Sequence, residues 1–134
     1  MIYKTITFVI LTFAISLTSH SQNDEKSFWE LYNAGKEKLE DQNDYAGAEL
    51  DFTNAIDARD DGLFGFIIDV YYYRGKSRYY QGKYYEAIND FEIAYEKGCE
   101  EIDLIELMAL TKWLIDDFEG AIHNYNLLIA LRPD

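Results

Sequence analysis

One constellation of residues recurs three times along this chain, and recurrence at a period in the thirties leaves room for few folds. In its clearest copy Gly75 is followed by Ala87 twelve residues later, then by Phe91 four further and Ala94 three further. Ala109, Ala121, Tyr125 and Leu128 keep the same spacings. Gly35, Ala48, Phe52 and Ala55 keep them with one extra residue in the turn. The aligned alanines Ala48, Ala87 and Ala121 stand 39 and then 34 residues apart. Such a unit suits two amphipathic helices packed antiparallel, in which a small residue on each helix lets the backbones approach. Gly35, Gly75 and Ala109 serve the first helix of each pair, and Ala48, Ala87 and Ala121 the second. The aromatics one turn later, Phe52, Phe91 and Tyr125, fill the space toward the next unit.

Between the two helices of each unit lie Gln42-Asn43-Asp44, Gln81-Gly82-Lys83 and Asp116-Asp117, each followed by an aromatic residue. These are polar turn sequences, so each unit is a hairpin. The spacing predicts helices over 26–41, 45–57, 66–81, 84–97, 101–115 and 118–131. Residues 59–65, with Asp60-Asp61-Gly62, form the long connection that carries the five residues by which the first period exceeds 34. A single Pro in 134 residues argues against an all-β chain, which needs turn signals at short intervals. The expected fold is therefore all-α and a single domain.

On this constellation and the 34-residue period, the chain resembles the tetratricopeptide repeat family over about residues 28–134. The likeness is greatest at Arg74 to Phe91, which follows the family variant Arg-Gly-x-x-Lys-Tyr-x-x-Gly-x-Tyr-x-x-Ala-Ile-x-Asp-Phe. The third copy also ends in Pro133, where the family commonly closes the second helix of its repeat. Leu128 replaces a small residue, Ala109 replaces Gly, and the first unit is lengthened. A helical repeat of roughly 36 residues would give a similar hairpin with its own Gly and Ala spacing. The resemblance implies a right-handed α-solenoid of three hairpins, with repeats at about 28–58, 68–98 and 102–134. It also implies a concave groove lined by the first helix of each pair, the usual binding surface of such arrays. The groove positions carry Tyr32 and Lys36, then Tyr72, Tyr73, Lys76, Tyr79 and Tyr80, then Glu106, Leu110 and Trp113. Some family members grip a peptide carboxylate with Lys, Asn and Arg. Here the corresponding places hold Tyr32, Lys36, Tyr73, Asp103 and Leu107, so that clamp is largely absent.

Tyr and Trp offer rigid contact area with a polar tip, which suits protein and peptide partners. About half of these tyrosines are expected to be buried between hairpins. Tyr71-Tyr72-Tyr73 and Tyr79-Tyr80 cannot all face inward, because successive helical residues lie about 100° apart. The net charge of −13 excludes nucleic acid, whose phosphates need a basic face, and disfavours anionic lipid. Nothing points to an enzyme: there is no nucleophile elbow, phosphate-cradling Gly loop, Cys-x-x-Cys or His-Glu-x-x-His. Glu119 and His123 lie four apart on one helix face, but two ligands without a third make no metal site. No cofactor is implied.

Residues 1–21 differ from the rest. Lys4 is their only charge, Thr5 to Leu17 is largely apolar, and Ser19-His20-Ser21 supplies small residues for cleavage before Gln22. The apolar run is short of the roughly 20 residues that span a bilayer, so a removed signal peptide is expected over a retained anchor. The exported chain would be 22–134, in the periplasm or outside the cell, with a net charge of −14 after loss of Lys4. Cys99 has no partner in its own chain and suits the turn after a helix.

The sequence thus predicts a non-catalytic adaptor that holds a protein or peptide in the groove. Two other classes stay open. No further helix is expected after Leu131 to shield the last hairpin, and repeat arrays need a polar cap, so a self-assembling module of the cell envelope is one. The other is a glycan- or peptidoglycan-binding protein, because aromatic faces also suit sugar rings.

Overall fold

A computed structural model of the chain describes residues 27–58 and 65–131. The expected export segment, the Asp60-Asp61-Gly62 connection and Pro133 lie outside the described residues. Six helices and no strand occur among the described residues: α1 (27–40), α2 (Tyr45–Asp57), α3 (Ile67–Tyr80), α4 (Tyr84–Glu96), α5 (Ile102–Leu114) and α6 (Phe118–Leu131). Both ends of α2 to α6 fall within one residue of the expected boundaries.

The turns show why the chain reverses where it does. Asn43, Gly82 and Asp116 have φ of 54°, 75° and 63°, and each stands five residues before an aligned alanine. Gly adopts this left-handed conformation without penalty, and Asn and Asp tolerate it better than other residues. In the second and third hairpins the turn closes by the same pair of hydrogen bonds. The Lys83 N–H donates to the Arg78 carbonyl at 2.9 Å and that of Gly82 to Tyr79 at 3.0 Å. The Asp117 N–H donates to Lys112 at 2.9 Å and that of Asp116 to Trp113 at 3.2 Å. These Schellman closures satisfy carbonyls that the helix end leaves free. The first turn has the expected extra residue, and its bond spans one residue more, from the Asp44 N–H to the Lys38 carbonyl at 2.9 Å. The next helix starts at once, because Asp44 and Asp117 accept from the N–H groups of Gly47 and Gly120, both at 3.0 Å.

Packing within hairpins follows the expected small-against-large logic. A methyl group added to Gly75 would lie 2.6 Å from ring carbons of Phe91, and one added to Gly35 would lie 2.8 Å from Phe52. Phe52, Phe91, Ala48, Ala55, Ala87, Ala94 and Ala109 are fully buried, and Ala121 nearly so. Each consecutive pair from α2·α3 to α5·α6 is in contact, and α3 also touches α5. The core falls into two clusters built alike. Phe28, Leu39, Ala48, Phe52 and Ala55 of the first hairpin are closed by Val70 of α3. Tyr72, Ala87, Ile88 and Phe91 of the second are closed by Leu104 and Met108 of α5. A hairpin that completes its core only with the first helix of its neighbour is what a helical repeat requires.

Candidate functional site

Of the expected groove residues of the first two hairpins, Tyr32, Lys36, Tyr72 and Lys76 lie around the ring of Tyr73. On α3, Tyr73, Lys76 and Tyr80 recur at helical spacing and share a face, and on α1 Tyr32 and Lys36 do the same. Because α2 and α3 are in contact and α1 packs on α2, the two faces meet. The rings of Tyr32 and Tyr73 lie 6.0 Å apart at 71°. The Lys36 ammonium sits 4.7 Å from the centre of the Tyr73 ring and 5.9 Å from that of Tyr32. The Lys76 ammonium lies 6.0 Å from Tyr73 and 5.2 Å from Tyr72. Tyr73 is thus faced by two cations from different hairpins, each contact contributing about 0.5–1 kcal/mol at a partly exposed site. Trp29 extends the aromatic line, 5.9 Å from Tyr32 and 4.6 Å from Phe66.

Toward the other end of α3, Tyr80 is half exposed and stacks on Tyr45 at 5.0 Å. Beside it a hollow of about 320 Å³ is lined by Leu39, Glu40, Asn43, Tyr45, Lys76 and Tyr80. On α5, Glu106 is exposed, Leu110 half-buried and Trp113 56% exposed. These three share one face of α5 by helical spacing.

Tyr72 and Tyr79 lie differently from the other groove positions. Tyr72 is 4% exposed and belongs to the core of the second hairpin, with its hydroxyl donating to the Asp103 carboxylate of α5. It ties the first helices of neighbouring hairpins together, and Lys76 reaches the same carboxylate at 3.8 Å. Tyr79 is half-buried and leans on Tyr84 across its own turn, 5.8 Å away. Burial raises the hydroxyls of Tyr32, Tyr72 and Tyr79 above the ordinary phenol value. The neighbouring Tyr73 adds to this for Tyr32, and the bond to Asp103 for Tyr72. All three are therefore neutral at physiological pH. Lys36 is held above its ordinary value by its hydrogen bond with Tyr73, which outweighs burial, so it stays cationic.

A second polar cluster lies behind this surface. Arg74 grips Asp90 with two bonds of 2.9 and 2.8 Å, and Arg78 reaches the same carboxylate at 2.8 Å. Asp90 is fully buried. Arg78 also donates to Glu49 of α2 at 2.9 Å, as do Gln81 at 2.8 Å and Lys83 at 2.6 Å. Burial pushes the Glu49 carboxyl up, but the bonds from Lys83, Arg78 and Gln81 outweigh it and bring it down to about 2. Arg74 and Asp90 stand in the sequence pattern at Arg74 to Phe91, whereas Glu49 carries no signal that marks it. The residue before each repeat aromatic is Asp51, Asp90 or Asn124, and all three are buried. Three residues after each small position stands Lys38, Arg78 or Lys112. Lys38 pairs with Asp51 at 2.6 Å, but Lys112 turns to Glu92 of α4 at 3.0 Å and the amide nitrogen of Asn124 has no partner.

Among the described residues no group of three or more His, Cys, Asp or Glu could hold a metal ion, and Glu119 and His123 are both exposed. Cys99 sits in the turn after α4, where its N–H donates to the Ala94 carbonyl at 3.0 Å. Burial raises its thiol, which disfavours the reactive thiolate. No described helix is long and apolar enough to cross a membrane. Comparison with family models finds no match, and comparison with curated proteins finds no significant one.

Proposed function

We propose that this chain is an exported, non-catalytic adaptor: a right-handed solenoid of three tetratricopeptide-type hairpins that holds a protein or peptide along α1, α3 and α5. The observation that carries this is the Tyr73 ring faced by Lys36 and Lys76, with Tyr32 against it and Tyr80 further along the same face of α3. Half-exposed aromatics on rigid helices lose little entropy when a partner covers them, and the lysines supply charge for acidic or carbonyl groups on it. The contact between α3 and α5 supports the solenoid arrangement, since it sets first helices side by side.

The test is a pull-down from cell-envelope extract with the tagged chain, beside a variant carrying Tyr80→Ala and Trp113→Ala. Both side chains are at least half exposed, so helicity by circular dichroism should be unchanged while the partner is lost. Equal recovery by the two proteins would remove the groove as the binding site. For export, mass spectrometry of the purified chain should find a first residue of Gln22, and an intact Met1 would rule out processing.

A further inference from the structure

The second helix of each hairpin has a flank that the next hairpin is built to cover. On α4 that flank includes Ile88 and Phe91, which α5 leaves at 8% and 0% exposure. The equivalent residues of α6 are Ile122 and Tyr125, continued at helical spacing by Phe118 and Ile129. Among the described residues Phe118, Ile122 and Ile129 are left 52%, 61% and 69% exposed, and Tyr125 is half-buried. We propose that this flank is a homodimer interface, with α6 of one copy packed antiparallel on α6 of a second about a twofold axis.

Charge and symmetry select the occupant. The chain carries a net charge of −13, so most of its faces repel a second copy. α6 is the exception, with Glu119 as its only carboxylate and no Lys or Arg, and Glu119 lies off the apolar stripe. Head-to-tail stacking would instead press the stripe onto α1 and the turn after it, where Glu37 and Asp41 are exposed, and would bury carboxylates against hydrocarbon. Only the twofold pairing sets apolar on apolar, because it presents the same patch from both copies. The 14 residues of α6 span about 21 Å, long enough for the four side chains to interdigitate with their copies over three turns.

This interface lies on a different side from the groove, so it stands or falls apart from partner binding. Sedimentation velocity of the full chain is the test, with Ile122→Glu and Ile129→Glu as separate variants and Tyr85→Glu as a control. Tyr85 is 72% exposed on α4, off the proposed interface. Wild type and Tyr85→Glu should be dimers, while each Ile→Glu change should raise the dimer Kd about 100-fold or more with helicity unchanged, because the twofold axis doubles each change and so buries two unpaired carboxylates against hydrocarbon. A wild-type chain that stays monomeric at about 100 μM would overturn the proposal, since a specific pairing of this kind is expected to be tighter. A dimer indifferent to both Ile→Glu changes would overturn it too.

Discussion

The second and third hairpins share one spacing and hold equivalent residues in opposite surroundings. Phe91 is fully buried and its counterpart Tyr125 is half-buried; Ile88 is 8% exposed and Ile122 is 61%. Asp90 accepts from two arginines, whereas the amide nitrogen of Asn124 has no partner. The residue types differ little, so the residue does not set its own environment. What differs is the neighbour: the second hairpin is enclosed by α2 and α5, and among the described residues the third is covered by the second hairpin alone. In a linear array most stabilisation passes through such interfaces, so the inner hairpin should be the firmer and the outer the first to open.

The comparison breaks most visibly at Asp90. Asp90→Ala would leave Arg74 and Arg78, with side chains 13% and 17% exposed, without their buried carboxylate, and should cost about 3–5 kcal/mol in urea unfolding. A loss under about 1 kcal/mol would mean that Glu49 and solvent compensate both cations. Next comes Gly75→Ala. Its new methyl meets the buried ring of Phe91, and after the gain in helix propensity the net cost should be about 2 kcal/mol. At the matching position of the third hairpin Ala109 is already present, so Ala109→Gly should cost only about 1 kcal/mol, the helix-propensity difference.

Acid should act on the inner hairpin through Glu49. Its folded value of about 2 lies below the ordinary 4.5, so its stabilisation is complete above pH 4.5 and is lost as the pH falls toward 2. Glu49→Gln should flatten the fall in melting temperature across that window, an effect on the order of 1 kcal/mol given the solvent access of Lys83. Identical slopes for the two proteins would show that the carboxylate contributes nothing in this range.

Much of this was legible in the residues. The small and aromatic positions marked both the helices and their pairing, because only Gly lets α1 or α3 approach its partner so closely, as Gly35 against Phe52 shows. Asn43, Gly82 and Asp116 marked the reversals, since each can take a positive φ. Tyr72 could not be told from Tyr73 by spacing, because adjacent residues on one helix are separated by what packs above them. Here Tyr72 packs among Phe91, Leu104 and Met108, and its hydroxyl reaches Asp103, 31 residues away. Glu49 was hidden for the same reason: its partners Arg78, Gln81 and Lys83 come from another hairpin. Contacts inside a hairpin follow a fixed offset, whereas those between hairpins depend on the connection, which differs in length from one pair to the next.

The sharpest form of the comparison is also its smallest effect. Asn124→Ala removes a buried donor that has no partner, which relieves a desolvation cost of about 1–3 kcal/mol, and opens a void that costs a similar amount. The net change in unfolding free energy should lie within about 1 kcal/mol of zero, against several for Asp90→Ala at the equivalent position. Matching losses at the two sites would mean that Asn124 is as firmly tied as Asp90, and that the third hairpin is held by more than the face it shares with α4.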